Sequence, residues 1–163
     1  MKTLLVYASQ SGTTAKAAAL LAQRLGGCDL VDITKKKAAA HCDAAGYDAV
    51  IAGSYVRMGA LAPTVVAFLD RNRAALQDRR CGLFLLGYFE EYSAQYLDEL
   101  FPRWLAGRAT RGWFGGELDL ARLRGFERMT MKMVERQNGA LPACRLDEAA
   151  IDDFARRFRA GEK

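Results

Sequence analysis

The 163-residue chain contains a single histidine, three prolines and no C-x-x-C pair. With only His41 available, a His-rich metal site is excluded. A Ser-His-Asp arrangement has one candidate base, and it lies in a polar stretch. The four cysteines, Cys28, Cys42, Cys81 and Cys144, lack the spacing of zinc ribbons and dithiol redox centres. They read as reduced thiols, with Cys81 buried at the edge of an apolar run. No apolar run approaches the roughly 20 residues that cross a bilayer. A strand-like run begins almost at once, without the pattern of a secretory leader, so the expectation is a cytoplasmic protein. The net charge of +5 favours anionic partners: acidic proteins, anionic lipid, carboxylated substrates or nucleic acid. No nucleic-acid motif is present, and nucleic acid is discounted on that ground.

Apolar patterning supplies the fold class. Residues 3–9 (TLLVYAS) form a short β-rich run, and a Ser/Gly/Thr loop follows at 10–14. Ala17, Leu20, Leu21 and Leu25 then share one helical face, which Gly26-Gly27 ends. Residues 28–33 read as a second strand, 34–46 as a polar connection containing Lys35-Lys36-Lys37, and 47–54 as a third strand. Pro63 opens a helix, a position where its missing N–H has no consequence. Residues 81–87 (CGLFLLG) are apolar without alternation, as expected of a strand covered on both faces. A helix is expected over 92–105, a fifth strand over 112–118, and helices over 123–137 and 147–158. This alternation predicts one domain with a parallel sheet between two helical layers, in strand order 2-1-3-4-5. In that topology a ligand sits beyond the carboxyl ends of the strands.

Ser9-Gln10-Ser11-Gly12-Thr13-Thr14 joins the first strand to the first helix. A helix start presents unpaired N–H groups and the positive end of its dipole, so it can hold a phosphate. Ser9, Ser11, Thr13 and Thr14 offer four hydroxyls, and Gly12 lets the backbone approach closely. A capped helix start needs only one such hydroxyl. A dinucleotide fingerprint needs G-x-G-x-x-G and a P-loop needs G-K-[ST]; neither is present. Strand three ends in Gly53-Ser54, not in an acid, which argues against a phosphoacceptor domain. With no Lys or Arg inside the loop, a monophosphate cofactor fits better than a nucleotide to be hydrolysed.

The segment S-Q-S-G-T-T resembles the phosphate signature [ST]-x-[ST]-G-x-[ST] of the flavodoxin superfamily. That resemblance implies a flavodoxin-like three-layer α/β/α fold and noncovalently bound FMN. The run Ile51 to Gly59 (IAGSYVRMG) is similar to the flavin loop of the branch containing flavodoxin-type, quinone-linked protoporphyrinogen oxidases. The stretch from Gly115-Gly116-Glu117-Leu118 through Gly125-Phe126-Glu127-Arg128-Met129 to Met133, then Asn138-Gly139, is similar to that branch's region after strand five. The region from Gly87 to Leu105 departs from the branch, being shorter and acidic at Glu90-Glu91. The net positive charge departs from ordinary flavodoxin carriers, which are typically acidic.

On this reading Ser54, Tyr55, Val56, Arg57, Met58 and Gly59, with Gly87, Tyr88 and Phe89, flank the flavin ring. Tyr55, Met58, Tyr88 and Phe89 can supply ring contacts; Tyr88 and Phe89 can equally cover the end of the sheet. Gly59 can let the Met58-Gly59 peptide reorient on flavin reduction. Arg57 can hold an anionic group or lie solvated. Arg124, Arg128, Lys132 and Arg136 recur at i,i+4 beside a stripe of Leu123, Phe126, Thr130 and Met133. That helix is either core-packed with a solvated basic face or a docking face for anionic lipid or an acidic partner. Three functions stay open: an FMN oxidoreductase serving a small-molecule donor, an electron carrier between redox proteins, and a cofactor-free interaction domain. The partners expected are a redox protein or a small-molecule donor or acceptor, with the inner membrane face as a candidate surface.

Overall fold

The computed structural model describes residues 1–116, 129, 132, 133, 136 and 145–162. Five parallel strands form the sheet: β1 (Thr3–Tyr7), β2 (Asp29–Asp32), β3 (Ala49–Arg57), β5 (Arg80–Leu86) and β6 (Thr110–Trp113). Their order is β2-β1-β3-β5-β6, the 2-1-3-4-5 arrangement expected. A short strand, β4 (Ala60–Leu61), folds back antiparallel on β3.

Strand periodicity divides the core. Leu5, Ile51, Phe84 and Leu86 face α1 (Thr13–Arg24) and the C-terminal helix α7 (Glu148–Ala160). Leu4, Val6, Val50, Ala52, Leu83 and Leu85 pack in the other layer. That layer is built from α2 (Lys36–His41), α3 (Pro63–Arg71), α4 (Arg73–Leu76), α5 (Ser93–Glu99) and α6 (Arg103–Ala106). Both faces are buried, so the sequence of β5 does not alternate. On the α1/α7 face Phe84 lies over Gly53, where a Cβ would come within 1.9 Å of the ring. Phe84 also stacks on Phe114 with centroids 4.8 Å apart.

Pro63 occupies the start of α3, as expected. Asn72 ends α3: its amide nitrogen donates to the Phe68 carbonyl and its amide oxygen accepts from Ala44 N, each at 2.9 Å. Asp147 caps α7, accepting from Ala150 N at 3.0 Å. Cys81 is buried, and burial pushes its thiol pKa up, away from the thiolate.

Four expectations are revised. The polar connection at 34–46 contains α2, anchored by buried Ala39. The single helix expected over 92–105 is a 3₁₀ turn (Glu90–Tyr92) followed by α5 and α6. Pro102 breaks it, because the residue before a proline disfavours helical dihedrals; that residue, Phe101, turns into the core. The fifth parallel strand starts at Thr110, earlier than expected; residues 117 and 118 lie outside the described residues. Strand three runs on to Arg57, so the segment read as a loop is mostly strand and hairpin. Of the basic helix, Met129, Lys132, Met133 and Arg136 are helical and exposed; Arg124 and Arg128 lie outside the described residues. No helix among the described residues is long and apolar enough to cross a membrane.

Candidate functional site

The loop after β1 is ordered by its own hydroxyls. Ser9 Oγ accepts from Gly12 N at 3.1 Å and from Ala15 N at 3.3 Å. This hydroxyl therefore caps the start of α1 from three residues before the cap position. Gly12 occupies that cap position at φ 95°, a left-handed conformation costly for any side chain, and has no side-chain cap of its own. The first-turn amides of Thr13 and Thr14 have no intrahelical acceptor, and no acid sits in the first turn. The positive end of α1 thus carries no carboxylate of its own first turn. Ser11 Oγ and Thr13 Oγ1 lie 3.4 Å apart, and Thr14 is buried.

The loop is buttressed from β2. Ser9 N donates to Thr34 Oγ1 at 2.9 Å. The Thr34 hydroxyl lies within reach of both the Ser9 carbonyl and the Asp32 carboxylate. Asp32 also accepts from Thr34 N at 2.8 Å. Thr34 was not among the expected site residues, since an isolated threonine in a polar stretch carries no signal for such a contact.

A hairpin forms the second edge. Arg57 pairs with Ala60 across a two-residue turn, with Met58 at φ 50° and Gly59 at φ 71°. Positive φ at both central positions is the type I′ geometry that suits the twist of a hairpin. Ser54 is fully buried. Its hydroxyl donates to the Tyr55 carbonyl at 2.8 Å and accepts from Ala62 N at 3.0 Å, tying the hairpin to the start of α3. Arg57 Nη1 donates to Gln10 Oε1 at 3.4 Å, linking hairpin tip and phosphate loop.

The third edge follows β5. Gly87 N donates to the Gly115 carbonyl at 3.0 Å. A Cβ on Gly87 would lie 2.5 Å from Trp113 Cη2, and one on Gly116 would lie 2.8 Å from the Gly87 carbonyl oxygen. Trp113 stacks on Tyr96 at 6.4 Å, Tyr96 meets Tyr92 at 6.0 Å, and Tyr92 meets Phe89 at 6.3 Å.

These edges enclose a cleft at the carboxyl ends of the strands, lined by Ser11, Thr13, Thr14, Tyr55, Val56, Leu86, Gly87, Tyr88 and Gly116. The cleft is shallow and open to solvent, with about 300 Å³ of free space when its mouth is included. Of the expected residues, Ser11, Thr13, Thr14, Tyr55, Val56, Gly87 and Tyr88 line it. Ser9, Gln10 and Gly12 shape the loop behind it, Ser54 is buried beneath the hairpin, Arg57, Met58 and Gly59 form the hairpin tip, and Phe89 packs on Tyr92. Leu86 and Gly116 were missed; the pair Gly115-Gly116 after a strand was the available signal. Among the described residues, the lining contains hydroxyls, glycine peptides, aromatic rings and aliphatic groups, with no Asp, Glu, His, Cys or Lys. It can bind and orient an anionic, partly aromatic ligand. Among the described residues it offers no carboxylate, imidazole or thiol for side-chain catalysis.

Residues 4–142 match the family described as a flavodoxin domain. No curated protein matches the chain in sequence. Among solved structures, the flavodoxin of Streptococcus pneumonia TIGR4 superposes with a TM-score of 0.56 at 18% identity, covering 98% of this chain and 99% of that one. An NADH:FMN oxidoreductase in its apo form gives 0.60 at 13% identity, over 100% of this chain and 91% of that one. Rubredoxin oxygen:oxidoreductase from Desulfovibrio gigas gives 0.54 at 19% identity, over 98% of this chain. The chain spans only 36% of that larger protein. These likenesses show a shared fold, and the match over residues 4–142 shows that the chain belongs to the flavodoxin domain family.

Proposed function

We propose that the cleft holds FMN and that the protein works as a flavin-dependent redox protein. The observation that carries this reading is the position and chemistry of the cleft. It begins at the hydroxyl-rich, acid-free first turn of α1 and continues between Tyr55 and Tyr88. In this assignment Ser11, Thr13, Thr14 and the first-turn amides bind the phosphate. Gly12 supplies the left-handed turn that leads into that first turn. Tyr55, Val56, Gly87 and Tyr88 hold and orient the ring system and exclude water from its faces. FMN, when bound, supplies the electron-transfer chemistry that the side chains of the cleft lack. The absorbance spectrum and a titration test the assignment. FMN is expected at a 1:1 ratio and riboflavin to bind far more weakly. Gly12→Asp is expected to abolish FMN binding by setting a carboxylate against the phosphate. Equal affinity for riboflavin would remove the phosphate anchor.

The finer reading is an enzyme that oxidises a reduced small molecule such as protoporphyrinogen and passes electrons to a quinone or other acceptor. It rests on the resemblance of residues 51–59, and in it Arg57 at the hairpin tip is assigned to hold a propionate. A charge-assisted hydrogen bond contributes about 1.5–3 kcal/mol, so Arg57→Ala should weaken a carboxylated donor about 10- to 150-fold. The carrier reading is favoured by the exposed Glu90 and Glu91 next to the cleft, which repel such a donor. Anaerobic mixing of oxidised holoprotein with protoporphyrinogen separates the two. Flavin bleaching slowed by Arg57→Ala supports the enzyme. No bleaching, together with fast reduction by a flavodoxin reductase, supports the carrier.

A further inference from the structure

Behind the cleft wall that follows β5 stands a residue that stability alone does not account for. Among the described residues, the indole N–H of Trp113 is buried without a hydrogen-bond acceptor. An unpaired buried donor costs folding free energy, and a phenylalanine or leucine would fill an apolar position without that cost. Trp113 ends β6, lies in register with Leu85 of β5 and packs against the α2–α6 layer. Tyr96 stacks on it with the two ring planes 26° apart. The far edge of the six-membered ring reaches Gly87: a Cβ there would lie 2.5 Å from Cη2, 3.1 Å from Cζ2 and 3.5 Å from Cζ3. Gly87 is confined on other sides too. Its N–H donates to the Gly115 carbonyl at 3.0 Å, and its carbonyl oxygen would lie 2.8 Å from a Cβ on Gly116. Gly87 and Tyr88 line the cleft, so the indole edge backs the wall that they form.

We propose that Trp113 is a positioning residue for the cofactor: its indole is the backstop that holds Gly87 and Tyr88 in one place and so sets the width of the slot for the flavin ring. The proposal rests on the reading of the cleft as the flavin site. A close-packed interior transmits such a constraint, because Gly87 cannot retreat without displacing a ring that Tyr96 holds from its own side. A wall fixed before the ligand arrives loses less freedom on binding, which raises affinity without a new contact. Trp113 acts on the ring half of the ligand and not on its phosphate, since Gly87 belongs to the wall after β5 and the phosphate groups belong to the loop after β1. The unpaired N–H follows from the same requirement. A shorter ring would spare the donor and give up the edge that meets Gly87, and a local rule broken beside a binding site is the usual mark of function.

The test is a size exchange across the Trp113–Gly87 contact, read by titration of the full chain with FMN and riboflavin, by the flavin absorption bands and by urea unfolding without flavin. Trp113→Phe removes the contacting edge and the unpaired N–H together, two changes of opposite sign for stability. Its urea midpoint should therefore stay near that of wild type. Both flavins should bind about tenfold more weakly, by the same factor, with their bands shifted towards those of free flavin. Gly87→Ala should weaken both about 5- to 150-fold, the cost of overpacking against the indole. Trp113→Phe/Gly87→Ala should bind both flavins better than either single variant, within about threefold of wild type, because the methyl enters the space that the indole edge leaves. This double variant decides the matter even where Trp113→Phe alone proves too unstable to titrate. A double variant as weak as the weaker single one would overturn the proposal. So would a loss confined to FMN, which would place the effect at the phosphate. A lower urea midpoint with affinity and bands unchanged would leave Trp113 a packing role alone and would also overturn it. Wild-type protein that takes up no flavin would sink the reading of the cleft instead, so the two failures are distinguishable.

Discussion

The wall of the cleft after β1 is held by side-chain hydrogen bonds, two of them local to Ser9 and one reaching across to Thr34. Ser9 caps Gly12 and Ala15, and Thr34 receives Ser9 N. The wall after β5 and β6 is held by close backbone approach and ring contact between segments far apart in sequence. Gly87 lies against Trp113 and Gly116, and Trp113 lies on Tyr96. The polar wall can lose one hydroxyl and keep its shape, since water can replace a surface hydrogen bond. The packed wall has no such reserve, because an added atom must displace a ring or a backbone.

Substitutions on each wall test that contrast. The largest loss is expected for Gly87→Ala and Gly116→Ala. The new methyl would lie 2.5 Å from the Trp113 ring in the first and 2.8 Å from the Gly87 carbonyl oxygen in the second. Overpacking of this kind costs about 1–3 kcal/mol. Urea unfolding would measure it, and flavin affinity should fall in parallel because both residues line the cleft. Wild-type stability in both variants would show that the packed wall yields more easily than argued. Ser9→Ala should cost less, about 1 kcal/mol for a lost cap, with a fall in FMN affinity larger than that in riboflavin affinity. Equal loss for the two ligands would detach the cap from the phosphate site. The smallest effect belongs to Thr34→Ala. One net hydrogen bond contributes about 0.5–1.5 kcal/mol, so FMN affinity should drop about 2- to 12-fold. Thr34→Ser should restore it, because the hydroxyl is the group that acts. A serine variant as weak as the alanine one would assign the effect to the lost methyl.

The same contrast governs what could be read before the structure was known. The phosphate loop was legible because its hydroxyls and glycine act within six residues, and Pro63 and the apolar run of β5 marked their elements for equally local reasons. Pro102 carried a local signal too, and the expected helix over 92–105 overrode it. The hairpin at 57–60 was missed because Met58 in a left-handed turn lacks the Asn-Gly signature of type I′ geometry. The six-residue α2 is held by the burial of Ala39, which a lysine-rich stretch does not announce. Gly116 and Thr34 meet the cleft walls through partners about thirty and twenty-five residues away, Gly87 and Ser9, which a local pattern does not pair with them.

The stretch ending at Gly116 and the stretch beginning at Arg145 are stitched together beside the sheet. Gly115 bridges Leu146, a Cβ on Gly115 would lie 2.4 Å from the Arg145 carbonyl oxygen, and Asp147 N donates to the Phe114 carbonyl at 3.0 Å. The chain on either side of residues 117–144 is therefore clasped by the scaffold itself. The entropy of closing a loop grows only with the logarithm of its length. Replacing residues 117–144 by segments of other lengths, during descent or by design, should therefore cost the scaffold little.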